Sequence, residues 1–341
     1  MKRPTIHAVA KEARVSVSTV SNVISGRHRQ MTAETRERVL AAMEILQFRP
    51  NQVARSLVTN RTATIGLILG EVTNSLYPLV TVGAEIACRD AGYSLLLASA
   101  DTEEAERRLV DVLKAKQVDA IVLFSVSYLT SQSEHLEKCD REGTPVVTLN
   151  RHLHKESPLS SVWFDHRAGA QTATSHLAEL GHRRIAHISG PASRMTGVQR
   201  REGYEAALDH AGVTRNARLV YEGDYSFESG EAAMQRLLPE RPTAVFVGGD
   251  AMALGAMRTI GQARLRIPDD ISLVAFGNPD AVRYATPAMT TIDLPVADAG
   301  RVAIELALAR IQEPQGKEVR TLGPTLLVRE STAEPNPGPH A

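Results

Sequence analysis

The sequence predicts an α/β protein in two parts: an all-α helix-turn-helix head, then a two-lobed body built on two doubly wound parallel sheets. Three observations predict it. Apolar residues recur at helical spacing in three short stretches before residue 47; short β-branched or apolar runs alternate with helical stretches from residue 62 onward; and formal charge is divided unevenly between the two parts. A chain of 341 residues also exceeds what one hydrophobic core usually supports.

In the head, Ile6, Val9, Ala10 and Ala13 stand at i, i+3, i+4 and i+7, one face of a short helix. Arg14-Val15-Ser16 interrupts it, and Ser16 can cap a second helix with the apolar face Val20, Val23 and Ile24. Thr32 can cap a third, with Glu34 and Glu37 in its first turn, where the helix dipole favours anions, and an inward stripe of Val39, Leu40, Met43 and Leu46. That core leaves Val17, Ser18, Ser21 and Asn22 of the second helix spare, and short side chains let a helix sit deep in a major groove. Amphipathic helix pairs also occur in bundles that bind nothing. Charge favours nucleic acid: residues 1–61 hold 11 Lys or Arg against four Glu, a formal +7, and the remainder carries −7, a split hidden in the net +0. A cationic head on an anionic body suits a polyanion-binding module on a carrier.

The residues Thr5-Ile6 with Val9-Ala10, Val15-Ser16-Val17-Ser18-Thr19-Val20-Ser21, Thr35-Arg36-Glu37-Arg38-Val39, Phe48-Arg49-Pro50-Asn51 and Ala54-Arg55-Ser56-Leu57 closely resemble the headpiece of the lac repressor family. The resemblance implies a recognition helix over about Val17 to Ile24 and a hinge helix over Asn51 to Val58 that forms only on operator DNA. It implies that Val17, Ser18 and Asn22 read the major groove, that Thr19 and Ser21 contact phosphates, and that Leu57 wedges into the central base step. Thr5, Asn51, Ala54 and Arg55 complete the implied DNA-binding set. The partner would be double-stranded, pseudo-palindromic operator DNA, bound by a homodimer, because a two-fold protein demands two-fold DNA. Two departures stand out: the family usually has Gly where Arg14 stands, which puts the turn geometry in question, and often Arg where Asn22 stands, which shifts preference from guanine towards adenine. Pro50 fits a helix start, yet about two turns are marginal in water, so the hinge would order only with DNA and a second hinge beside it; a plain linker is the alternative.

The body's first strands are Thr64 to Leu69, Tyr93 to Ala98, Ala120 to Phe124 and Val146 to Leu149. A second series follows: Ser161 to Phe164, Ile185 to Ser189, Leu219 to Glu222, Ala244 to Val247 and Leu273 to Phe276. Thr290 to Leu294 and Leu326 to Arg329 are late strands, with a helix over Val296 to Ile311 between them, as expected if the chain recrosses between lobes. The expected domains are residues 1–49 for the head, 50–61 for the hinge, 62–160 with 292–323 for the first lobe, 161–291 with 324–333 for the second, and a disordered Pro/Gly-rich tail over 334–341.

Ligands of open α/β sheets bind outside the carboxyl ends of the strands. Residues just after the expected strands are polar: Asn74 and Tyr77, Ser125, Asn150-Arg151, Asp165, Arg194, Asp250 and Asn278. The resemblance extends through Gly190-Pro191, Arg200 with Glu202-Gly203-Tyr204, Gly249-Asp250 and Thr286-Pro287, and implies a periplasmic-binding-protein-like body with Arg194, Arg200, Asp165 and Asp250 at effector-contact positions. A guanidinium binds carboxylates or sugar hydroxyls bidentately, which singles out Arg200; for each of these residues a plain ion pair is the alternative. Sugar-binding relatives often place an acid where this chain has Gly277-Asn278, so arginines outnumber acids. The expected effector is a sugar or a sugar acid bearing a carboxylate or phosphate, and the expected role is control of carbohydrate-metabolism genes.

An enzyme and a periplasmic solute-binding protein are the rival classes. The chain lacks G-x-G-x-x-G, G-x-x-x-x-G-K-[ST] and G-x-S-x-G, so no turnover and no cofactor are expected. His152, His154 and Glu156 share a loop without a second ligand group, and Cys88 and Cys139 lack C-x-x-C spacing, so no metal is expected and both thiols read as buried and structural. An apolar leader and a membrane span are absent from the pattern, which points to the cytoplasm.

Overall fold

The computed structural model describes residues 4–24, 31–48, 61–70, 76–124, 133–151 and 153–336, in two compact units, Met1–Ala63 and Thr64–Ala341. In the first unit, α1 (Ile6–Ala13), α2 (Val17–Ile24) and α3 (Ala33–Ile45) enclose a core of Val9, Ala10, Ala13, Val20, Val23, Val39 and Ala42. Ser16 caps α2 by accepting from Thr19 N at 3.1 Å, and Thr32 caps α3 by accepting from Thr35 N at 3.3 Å. The α1–α2 turn closes with Arg14 in the left-handed region at φ 53, and Val15 N donates to Ala10 O at 3.0 Å. Leu40, expected inside, is exposed, and Ala42 fills the inward position, because the helix phase turns the stripe towards Val39 and Ala42.

Among the described residues the second unit holds two six-stranded sheets. The first runs β11 (Val319–Leu322), β5 (Ser160–Phe164), β4 (Val146–Leu149), β3 (Ala120–Phe124), β1 (Thr64–Leu69), β2 (Ser94–Ser99). The second runs β12 (Thr325–Leu327), β10 (Thr290–Asp293), β9 (Ser272–Phe276), β8 (Ala244–Val247), β6 (Ile185–Ser189), β7 (Val220–Glu222). Pairings are parallel except β10 with β12. Central strands β3, β4, β6, β8 and β9 are buried throughout, as a sheet covered by helices on both faces requires.

Two boundaries differ from the expected ones. Strand β5, assigned above to the second lobe, pairs with β4 and β11 in the first sheet, and β10 lies wholly in the second. The chain therefore leaves the first sheet after Phe164, not before Ser161. Strand β11 was not expected at all; its residues are mostly exposed at the sheet edge, so it carries little apolar signal. Pro335, expected in the tail, lies against Gly181, while residues 337–341 fall outside the described set.

Helix α4 (Leu76–Asp90) crosses α12 (Val296–Gln312) closely enough that a Cβ on Gly83 would meet the Ala297 carbonyl oxygen at 1.8 Å. Helix α12 also packs on β3, β4 and β5, which ties the returning chain to the first lobe. There Arg310 reaches Asp140 on α6 (Glu134–Arg141) at 2.8 and 3.0 Å, with both side chains nearly buried. Helices α7 (His166–Glu179) and α8 (Met195–His210) pack together on the second sheet.

Candidate functional site

Two places gather the residues nominated from sequence. On α2, Ser18, Ser21 and Asn22 are exposed along one side, Val17 and Thr19 are half-buried, and Val20 and Val23 face the core. The Ser16 hydroxyl joins Ser18 Oγ at 2.6 Å and Thr19 Oγ1 at 2.8 Å, so the first turn presents a cluster of hydroxyls. Thr5 caps α1 by accepting from Ala8 N at 3.4 Å. This is a surface of short polar side chains on a helix held rigid by its other face, the shape that enters a groove. Asn51, Ala54, Arg55 and Leu57, and the hinge they belong to, lie outside the described residues.

The second place is at the carboxyl ends of the body's strands. Arg200, on α8, is buried; its Nη1 donates to the Gly248 carbonyl oxygen and its Nη2 to His166 Nδ1 at 3.3 Å. The guanidinium carbon lies 3.9 Å over the Phe276 ring and 5.5 Å from the Tyr225 ring, against which Arg194 also stands at 5.5 Å. Burial pulls the Arg200 guanidinium down from its ordinary value, while Tyr225 and Asp250 oppose that shift. Among the described residues it has no ion-pair partner, and its Nε has no hydrogen-bond partner. A buried cation without a paired anion costs several kcal/mol, roughly, and an arriving anion relieves that cost.

Tyr225 was not nominated from sequence, yet it anchors this wall. It holds φ 75, strained for a bulky residue, and its hydroxyl meets Thr196 Oγ1 at 3.0 Å. A Cβ on Gly190 would fall 2.1 Å from that hydroxyl, so only glycine admits the ring. His166 was missed too: it is fully buried, with Nε2 2.7 Å from Asn150 Oδ1 on the first-lobe side. The signal available was its place two residues after a strand end. Asp293, at the end of β10, was also missed; its carboxyl is pushed up by burial while contact with Asn278 and Arg329 opposes this. A carboxylate thus stands beside the position where the sequence lacks one.

The remaining nominated residues have the following contacts. Arg151 is buried in the first lobe, its Nη1 donating to Glu106 at 2.9 Å and its Nε to Ser133 Oγ at 3.3 Å. Tyr77 is buried edge-on to Phe124 at 5.0 Å between centroids. Asp165 caps α7 through Ala168 N at 2.9 Å, and Asn278 accepts from Arg329 Nη2 at 2.6 Å. Asp250 opens α10 (Asp250–Gln262), next to the Gly248 carbonyl that holds Arg200. Asn74 and Ser125 lie outside the described residues. Among the described residues, no group of three or more His, Cys, Asp or Glu could hold a metal ion, and no helix is long and apolar enough to cross a membrane. Burial pushes the Cys88 and Cys139 thiols up to about 11, which keeps both unreactive.

Residues 5–51 match the family model for bacterial regulatory proteins, lacI family, and residues 174–332 match the periplasmic binding protein-like domain. The chain is 36% identical over 337 residues, 97% of each chain, to the HTH-type transcriptional repressor PurR of Escherichia coli O139:H28 (strain E24377A / ETEC). Among solved structures it is similar to the transcriptional regulator CelR in complex with cellobiose, at 33% identity and TM-score 0.72 over 96% of this chain and 100% of that one. It is also similar to the lac repressor dimer bound to operator and the anti-inducer ONPF, at 28% identity and TM-score 0.83 over 97% of this chain and 100% of that one. Helix-turn-helix head, two-sheet body and full-length likeness agree: the chain belongs to the lacI family, a DNA-binding transcriptional repressor with an effector-binding domain and not an enzyme.

Proposed function

We propose that the protein represses carbohydrate or sugar-acid genes in the cytoplasm as a homodimer on a pseudo-palindromic operator, and that a sugar acid or sugar phosphate bound at Arg200 between the lobes sets its DNA affinity. The carrying observation is Arg200 itself: a buried cation packed on an aromatic face, without an ion-pair partner among the described residues. Arg194, Asp250 and the Tyr225 ring extend that wall, and aromatic faces suit the apolar face of a sugar ring. The two-fold assembly is supported by an exposed apolar row on α4, Leu79, Val82 and Ile86, with Leu97 also exposed on β2 at the sheet edge. On DNA, Thr5, Val17, Ser18, Thr19, Ser21 and Asn22 form the contact surface, with Asn22 facing adenine.

Calorimetry of the full chain with D-glucuronate, glucose 6-phosphate, cellobiose and hypoxanthine tests the ligand class. An acidic sugar is expected to bind, and Arg200→Met to weaken it about a hundredfold, the loss that follows from leaving a charge-assisted pair unmade. Binding of cellobiose or hypoxanthine alone overturns the acidic-sugar reading.

A further inference from the structure

His166 is placed where the chain passes from one lobe to the other: Phe164 ends the first sheet, and α7, which His166 opens, packs on the second. Its ring is fully buried, 5.7 Å from Trp163, 6.1 Å from Phe164 and 5.8 Å from Phe276 between centroids. Its two nitrogens reach opposite sides of the cleft. A guanidinium only donates, so at 3.3 Å from Arg200 Nη2 the ring's Nδ1 must accept. A neutral imidazole then carries its proton on Nε2, which donates to Asn150 Oδ1 at 2.7 Å. Asn150 follows β4 in the left-handed region at φ 55 and donates its own N–H to the Val162 carbonyl oxygen at 2.8 Å, so its backbone is fixed to the first sheet.

We propose that His166 is a positioning residue that couples Arg200 in the second-lobe wall to Asn150 on the first-lobe rim. An anion that draws Arg200 Nη2 away leaves the buried Nδ1 without its donor, and the ring answers by turning or shifting, which moves the proton offered to Asn150. With Arg200 in place, burial and the neighbouring guanidinium charge both hold the ring neutral. Arg200 and Asn150 each hydrogen-bond one nitrogen of the same imidazole, so a change at one is felt by the partner of the other. The proposal rests on the effector reading above for its purpose, while the two hydrogen bonds that make the relay are formed by the chain's own residues.

The test therefore uses no ligand. In the full chain with asparagine side chains labelled with ¹⁵N, Arg200→Met is expected to shift the Asn150 amide resonance. The same shift is expected in His166→Gln, whose amide keeps a donating NH2 and an accepting oxygen, and is expected to vanish in His166→Phe, which keeps the packing and offers neither. An Asn150 resonance that ignores Arg200→Met in the native background, or follows it equally in His166→Phe, overturns the proposal. Should His166→Phe fail to fold, ¹⁵N shifts of the native histidine decide: the Nε2–H tautomer at neutral pH supports the relay, and the Nδ1–H tautomer or an imidazolium overturns it. Neither readout depends on what binds in the cleft, so a failure here is distinct from a failure of the acidic-sugar reading.

Discussion

Glu106 and Arg151 lie 2.9 Å apart with both side chains nearly excluded from water, and Glu106 turns its other oxygen to His135 Nε2 at 2.8 Å. One buried carboxylate thus holds a cation from the β4–β5 connection and a histidine from α6 against α5 (Glu103–Ala115), on which it lies. Glu106→Gln leaves the Arg151 charge buried and unpaired, and is expected to lower stability by about 3–5 kcal/mol in urea denaturation. Arg151→Met strands the Glu106 carboxylate instead, but that group keeps His135 Nε2 at 2.8 Å as a partner, and the variant is expected to cost less. Acidic-sugar binding should survive in the folded fraction of both.

Asn22→Ala should weaken binding to a selected operator by about 1–3 kcal/mol while leaving affinity for random duplex nearly unchanged. Asn22 is exposed on α2 beside Ser18 and Ser21, so its removal costs the fold little. Equal losses on both DNAs in a fluorescence anisotropy titration count against base reading.

Val82→Glu places a charge in the middle of the exposed apolar row on α4. Sedimentation is expected to show monomer at concentrations where the native chain is a dimer, with operator affinity lost in parallel. A variant that still sediments as a dimer moves the two-fold contact elsewhere.

His187 is fully buried between Tyr204 and Phe246, with ring centroids 4.7 and 4.8 Å away, and burial lowers it from 6.5 to about 4. Between those values the unfolded chain takes up a proton that the folded ring refuses. Stability should therefore fall as pH drops from 6.5 to about 4 and stop falling on this account below that. The slope for one such group is about 1.4 kcal/mol per pH unit at most. His166, His176 and His182 are lowered by burial too and add with the same sign. His187→Phe keeps the stack, and urea midpoints should then fall less steeply with acid.

Arg14→Gly should stabilise the head by about 1 kcal/mol, seen as a raised thermal midpoint, because φ 53 costs a residue with a Cβ what it does not cost glycine.

Local chemistry was legible in the sequence where a signal is local. The caps Ser16 and Thr32 follow from a hydroxyl placed just before an apolar period, and most strands follow from β-branched runs. Sheet membership is not local: β5 reads the same whether it joins β4 or opens the next lobe, and only pairing with β4 and with the distant β11 decides it. The same limit governs the cleft. Neighbours Asn150 and Arg151 both follow β4, yet Asn150 meets His166 while Arg151 turns into the lobe to meet Glu106, a partner 45 positions away. Tyr225 and Asp293 gain their place from Gly190 and Asn278, contacts that no spacing announces.

The chain passes between the two sheets after β5, after β10 and after β11; β5 with β11 and β10 with β12 are neighbours at one edge of each sheet, and the first passage enters the second lobe through α7, which packs on β9, β10 and β12 before the chain reaches β6. Three tethers side by side act as a pinned door: they resist sliding and separation, and leave rotation about their common line as the soft direction. Work done by any molecule caught between the walls is then delivered as torque about that line. A single cut in one tether would leave two still defining the axis.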